Sequence, residues 1–213
     1  MRTILFATSN EGKMREIRMI LQDLNVQVVS LREAGLSGVP IVEDGSTFEE
    51  NAQIKVDTLR AYIEEHEIEE LKEAIILADD SGLVVDYING EPGIYSARYL
   101  GEDTSYDVKN SVIIERLANA KDDARSARFV CAIAAYLPAT DGKRERRVTT
   151  FGIMEGRIAQ KPAGSGGFGY DPILFLPEYG KTSAELTAEE KNAISHRGKA
   201  LRAMKKIIEE RWF

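Results

Sequence analysis

Short apolar runs alternate with amphipathic stretches along the first half of the chain, and that rhythm predicts strand-helix-strand-helix-strand. Thr3-Ile4-Leu5-Phe6-Ala7 reads as a buried strand. After the polar interruption Thr8-Ser9-Asn10-Glu11-Gly12-Lys13, the residues Met14, Ile17, Ile20, Leu21 and Leu24 recur at helical spacing. Val26 to Val29 is a second strand. Thr47-Phe48-Glu49-Glu50 has the form of a capping box, in which Glu50 reaches back to the Thr47 amide. A helix follows through Ala52, Ile54, Lys55, Val56 and Leu59. Ile75 to Ala78 is a strand that stops on Asp79-Asp80-Ser81-Gly82, and Leu83 to Val85 resumes an extended run. Glu64 to Glu73 is a solvated, charged face or helix end.

The second half reads differently. Asn89-Gly90 and Glu91-Pro92-Gly93 are turn chemistry, and Asp107 to Leu117 has helical spacing. Phe129 to Leu137 and Val148 to Met154 are strand-like and joined through Asp141-Gly142, as in a hairpin. Thr187-Ala188-Glu189-Glu190 opens a terminal helix that runs on through Leu201, Met204, Ile207 and Ile208. With no internal repeat and no long linker, residues 1–213 read as a single α/β domain with a mixed sheet.

Composition narrows what such a domain does. The 213 residues carry 28 Lys+Arg and 35 Asp+Glu, a formal charge of −7. That balance excludes a general nucleic-acid coat, which needs a basic face, but leaves room for a small phosphorylated ligand held by local cations and helix-start amides. No apolar run approaches the ~20 residues that span a bilayer, and neither a membrane partner nor a signal peptide is expected. The single cysteine excludes an intramolecular disulfide, and with two histidines it excludes ordinary structural zinc spacing. A reducing, cytoplasmic setting is expected.

Three segments carry candidate chemistry. The Thr8–Lys13 loop between a strand and a helix is either ordinary capping or an anion site, with Ser9 and Asn10 donating and Lys13 adding a charge. It lacks the Walker A spacing. Asp79 and Asp80 follow an apolar strand, the place where α/β sheets hold ligands. Adjacent residues of an extended segment face opposite ways, so one acid would face Mg²⁺ and a water while the other braces an amide or a lysine. Glu43 would supply a second oxygen ligand. The competing reading is an Asx turn with Glu43 merely exposed.

Gly164-Ser165-Gly166-Gly167-Phe168-Gly169 spells a dinucleotide fingerprint, but Tyr170-Asp171-Pro172 follows it, so no helix opens there and that reading fails. A loop with Phe168, Tyr170 and Asp171 suits a flat heterocycle instead. Lys191, Ser195, His196 and Arg197, placed in the first turns of the terminal helix, either contact a nucleotide or form a solvated basic face. His66 reads as surface and Cys131 as core.

Taken together, six motifs in fixed order resemble one family. They are Thr8-Ser9-Asn10-x-x-Lys13, Phe48-x-x-Asn51-Ala52-x-x-Lys55, Ala78-Asp79-Asp80-Ser81-Gly82-Leu83, Pro92-Gly93-Ile94-Tyr95-Ser96-Ala97-Arg98, Gly166-Gly167-Phe168-Gly169-Tyr170-Asp171-Pro172 and Ser195-His196-Arg197. The chain resembles the noncanonical purine nucleoside triphosphate pyrophosphatases, the inosine triphosphatase or Ham1 family, from its first strand to its last helix. That resemblance implies an elongated, two-lobed α/β fold around a long central mixed β-sheet, usually a homodimer. It implies Mg²⁺-dependent hydrolysis of ITP, dITP and XTP to the monophosphate plus pyrophosphate, removing deaminated purines from the nucleotide pool. By the same resemblance Thr8, Ser9, Asn10, Glu11, Gly12 and Lys13 hold the triphosphate. Glu43 and Asp80 serve the metal, with Asp80 also the proton acceptor for water. Ser81 touches substrate, Phe168, Gly169, Tyr170, Asp171, His196 and Arg197 grip the base, and Lys191 contacts the nucleotide. Relatives often have Glu-Thr-Gly where this chain has Glu43-Asp44-Gly45, so either Glu43 or Asp44 is the acid nearer the metal. All these segments are expected to converge in one cleft. Two other readings compete: a Maf-type pyrophosphatase with different base preference, and a non-catalytic nucleotide-binding regulator.

Overall fold

Among the described residues the apolar runs pair into a seven-stranded mixed sheet, in the order Val26–Ser30, Arg2–Phe6, Ile75–Val85, Ser126–Leu137, Arg146–Ile158, Leu174–Leu176, Lys181–Thr182. The structure, a computed structural model, describes residues 2–140 and 142–212. Its elements are β1 (Arg2–Phe6), α1 (Glu11–Leu21), β2 (Val26–Ser30), α2 (Phe48–Glu65), β3 (Ile75–Val85), α3 (Tyr106–Arg116), β4 (Ser126–Leu137), β5 (Arg146–Ile158), β6 (Leu174–Leu176), β7 (Lys181–Thr182), α4 (Ala188–Ile194) and α5 (His196–Trp212). β1 pairs in parallel with β2 and β3, while β6 is antiparallel to both β5 and β7. β4 and β5 are neighbours, and Thr140 and Lys143 bridge antiparallel in their connection. Asp141 of that expected turn lies outside the described residues. No described helix is long and apolar enough to cross a membrane.

The chain divides into two compact units. The first holds the chain through Asp80, Cys131–Phe151 and the chain from Ala200 on; the second holds Ser81–Val130 and Gly152–Lys199. In the first unit the two faces of β1 and β3 are covered by different helices. Ile4, Phe6, Ile75 and Leu77 pack with Met14, Ile17 and Leu21 of α1 and with Leu201, Met204 and Ile208 of α5. Leu5, Ile76 and Ala78 pack with Ala52, Val56, Leu59 and Ile63 of α2. Such parallel strands are buried on both sides, which is why they read as continuous apolar runs. In the second unit Leu83, Val85, Phe129, Met154, Ile158, Ile173 and Leu174 form a separate core with Ile113 and Leu117.

Three local expectations are corrected. Asp79-Asp80-Ser81-Gly82 is not a turn: β3 runs unbroken from Ile75 to Val85, because sheet pairing outweighs the turn preference of these residues. The terminal helix is two helices. Ser195, at φ −65° and ψ 155°, ends α4, and its Oγ accepts the Gly198 N–H at 3.0 Å. A serine with extended backbone stops one helix and caps the next. At α2, Thr47 accepts the Glu50 N–H as expected, but Glu50 reaches past Thr47 to the Ser46 amide at 2.6 Å. At α4 the cap is a reciprocal box: Thr187 accepts the Glu190 N–H and Glu190 accepts the Thr187 N–H.

Candidate active site

The pleat of β3 determines what its two acids meet. Ile75, Leu77 and Asp79 share the face that packs on α1, and Ile76, Ala78 and Asp80 share the face that packs on α2. Asp79 accordingly accepts from Lys13 Nζ of α1 at 2.9 Å. Asp80 accepts from Asn51 Nδ2 of α2 at 3.2 Å and lies 3.6 Å from Lys55 Nζ. Lys55 sits one turn after Asn51, the helical spacing that brings both to Asp80. Its ammonium also reaches Glu43 at 2.7 Å, whereas Asp44 is exposed. Between the two acids of that loop, it is Glu43 that joins the group.

Asn51 is fully buried and uses both ends of its amide. Its Oδ1 accepts the Gly45 N–H at 2.9 Å while its Nδ2 holds Asp80. Gly45 lies so close to α2 that a Cβ would come within 2.7 Å of Glu50 Cβ and 2.8 Å of Asn51 Oδ1. One side chain thereby ties the loop bearing Glu43 to the strand bearing Asp80.

The electrostatics follow from burial. Burial pushes the Asp80 carboxyl above the ordinary carboxylate range, against the opposing pull of Lys55 and the Asn51 hydrogen bond. Burial draws Lys55 down, but the carboxylates of Asp80, Asp79 and Glu43 outweigh it and leave the ammonium raised. Three carboxylates face two lysines, an excess of negative charge made wholly of oxygen donors. A hard divalent cation fits that donor set. Among the described residues no group of three or more His, Cys, Asp or Glu side chains is spaced to enclose an ion.

Upstream, Asn10 caps α1 by accepting the Lys13 N–H at 3.0 Å, and Thr8 Oγ accepts the Asn10 N–H at 3.2 Å. Both the capping and the anion readings of this loop thus keep a physical basis: Ser9, Asn10 and Glu11 remain exposed at a helix start. The Lys13 ammonium is directed at Asp79.

In the second unit a different group forms. Phe168 has Lys191 Nζ 4.8 Å and the Arg197 guanidinium 5.5 Å from its ring. Arg197 donates to Ser81 Oγ at 3.0 Å. Asp171, 2% exposed, accepts from the Phe168 N–H at 2.8 Å, Ser183 Oγ at 2.8 Å and Lys191 Nζ at 2.7 Å. Its carboxylate lies where a Cβ on Gly167 would be, 2.1 Å away, and Gly167 has φ +71°, so only glycine fits. Tyr170 is buried and its hydroxyl donates to Ser96 O at 2.7 Å. His196 is buried with its ring stacked on Phe129, centroids 4.9 Å apart. Tyr170 and Asp171, read from sequence as ligand contacts, take part in the protein's own hydrogen bonding. The break at Ser195 leaves Lys191 on α4 and His196 and Arg197 at the start of α5. The motifs containing Asn51 and Lys55 were visible in the sequence, but no role for them was; their spacing on α2 beside a strand-end acid was the available signal.

A mixed α/β sheet with a buried acid-lysine group at a strand and a cation-flanked aromatic loop defines a nucleotide-handling class of protein. The chain belongs to the Ham1 family, whose model matches residues 4–207. It is 46% identical over 205 residues to the dITP/XTP pyrophosphatase of Clostridium perfringens, covering 96% of each chain. It is 41% identical to that of Shouchella clausii, covering all of this chain and 99% of the relative. Among solved structures it is similar to the Ham1 protein of Staphylococcus aureus, with TM-score 0.82 and 35% identity, and to a HAM1 protein from Coxiella burnetii, with TM-score 0.81 and 37% identity. Each alignment covers 99% of this chain and all of the other.

Proposed function

We infer that this chain hydrolyses dITP, ITP and XTP to the monophosphate and pyrophosphate, clearing deaminated purines from the cytoplasmic nucleotide pool. The observation that carries this reading is the Glu43–Lys55–Asp80–Asn51 group, an ionisable cluster held by a loop, a helix and a strand, in a chain so similar to named dITP/XTP pyrophosphatases.

Glu43 and Asp80 would hold Mg²⁺. When bound, the ion supplies charge neutralisation at the phosphoryl oxygens. Asp80 takes the proton from the attacking water, a task helped by a carboxyl whose affinity for protons burial has raised. Asn51 keeps one Asp80 oxygen fixed, and Lys55 holds positive charge beside both acids. The exposed start of α1, Thr8 to Lys13, offers amides and side-chain donors to the triphosphate. In the second unit Phe168 offers a stacking face, with Lys191 and Arg197 as donors beside it. A 6-oxo purine presents acceptors there, where adenine presents an amino donor. Donors that would be left unpaired by adenine discriminate more strongly than a difference in pocket size. Ser81 and His196 belong to the same group. Phe151 of β5 is 52% exposed, and a second copy of the chain would cover it as a homodimer.

The test is a panel of ITP, dITP, XTP, GTP, ATP and UTP, with and without Mg²⁺, followed by phosphorus NMR. Release of pyrophosphate from ITP, dITP and XTP only with the cation is expected. A preference for UTP, or binding without turnover, would overturn the reading. Sedimentation equilibrium decides the dimer.

A further inference from the structure

The segment Pro92–Arg98 is one of the six motifs, yet the reaction as described uses none of its residues. Its buried polar member is Ser96, 5% exposed. The Ser96 hydroxyl accepts the Leu83 N–H at 2.9 Å and donates to Gly93 O at 2.6 Å. Leu83 lies two residues beyond Ser81 on β3. The Ser96 carbonyl accepts the Tyr170 hydroxyl at 2.7 Å. One residue therefore touches the strand that bears Ser81 and the loop that bears Phe168.

We propose that Ser96 and Tyr170 are a positioning pair that fixes the Phe168–Asp171 loop to the Ser81-bearing strand and thereby governs purine selection. The proposal rests on the assignment of that loop to the purine ring. Tyr170 is 4% exposed with its one hydroxyl proton committed to Ser96, so it acts through the loop and not on a ligand. The start of α3 holds the same loop from another direction. Asn110 Nδ2 donates to Gly169 O at 3.2 Å, and Tyr106 meets the Tyr170 ring edge-on, with centroids 5.2 Å apart at 90°. Lys109 Nζ in turn donates to Ala97 O at 2.6 Å, binding α3 to the Pro92–Arg98 segment. Loop, strand, helix and motif are thus joined by buried and half-buried hydrogen bonds, which restrain the elements they link. A base platform needs this, because a loop free to shift by an ångström loses the alignment of its donors.

Tyr170→Phe removes only the hydroxyl, and Ser96→Ala removes the bonds to the Leu83 N–H and the Gly93 carbonyl while keeping the Ser96 carbonyl. Each is expected to raise KM for dITP about tenfold, with kcat held within about twofold. Each is expected to shrink the ratio of kcat/KM for dITP over dATP by a similar factor. A purely structural role would not split KM from kcat in this way. Phe168→Ala is measured alongside. If it raises KM while Tyr170→Phe and Ser96→Ala leave KM and the ratio unchanged, the positioning pair is overturned and the loop assignment survives. An unchanged KM in Phe168→Ala overturns both, and equal loss of kcat on dITP and dATP in Tyr170→Phe overturns the pair.

Discussion

Lys55–Asp80 and Lys191–Asp171 are both buried lysine–aspartate pairs, and they differ in how completely the acid is satisfied. In the second unit Asp171 receives three donors within 2.8 Å and sits at the only kind of residue, a left-handed glycine, that leaves it room. In the first unit Asp80 has Asn51 at 3.2 Å and Lys55 at 3.6 Å, while the same lysine is held closer by Glu43. A saturated carboxylate is a joint: moving any partner strands a buried charge. An under-satisfied one, raised in proton affinity by burial and neighbouring acids, is suited to exchange protons and accept a cation. The contrast separates residues that make the fold from residues that use it.

The largest expected effect tests that separation directly. Asp80→Asn should cost ~10²–10⁴-fold in kcat while leaving the melting temperature nearly unchanged. Asp171→Asn should do the reverse in stability, stranding Lys191 at a cost of about 3–5 kcal/mol, a fall of roughly 6–20 °C for a chain of this size. Calorimetry and steady-state kinetics on both variants check this, and equal destabilisation would erase the distinction. Next in size is Asn51→Asp, which keeps an acceptor for the Gly45 N–H and replaces the donor to Asp80 with a repelling oxygen. A loss of about ten- to hundredfold in kcat is expected, since a hydrogen bond to a charged group is worth about 1.5–3 kcal/mol. Wild-type turnover would show that Asp80 needs no such brace.

The smallest effect is a displacement in pH. Lys55 opposes burial by favouring the ionised form of Asp80, so Lys55→Gln should raise the proton affinity of that carboxyl further. The base must be ionised to act, so activity is lost as pH falls through its pKa. The acid limb of kcat/KM should therefore move to higher pH in the variant. A limb that stays in place or moves down would assign the limb to another group.

Much of the first unit was legible in the sequence because its determinants are local. Apolar runs, a helical stripe at Met14 to Leu24 and the hydroxyl cap at Thr47 each act within a few residues. The opposite facing of Asp79 and Asp80 also followed from backbone geometry alone, and Lys13 takes one of them as a brace. What escaped is long-range. Turn vocabulary at Asp79 to Gly82 was overruled by sheet pairing, and the break at Ser195 shows only in the backbone. The commitments of Tyr170 to Ser96 and of Asp171 to Ser183 join residues 74 and 12 apart in sequence, which no periodicity reports. Asn51 and Lys55 were visible only as letters of a motif until α2 was seen beside β3.

The unbroken run of β3 also limits how its sequence can change length. Inserting or deleting one residue between Ile75 and Asp79 would turn the alternation over, handing the first acid to α2 and the second to α1. Lys13 would then hold the residue proposed for proton transfer, and Asn51 would face the other, with every residue type still present. Mutational gaps are tolerable in the surrounding loops, but in this stretch arithmetic parity is part of the chemistry.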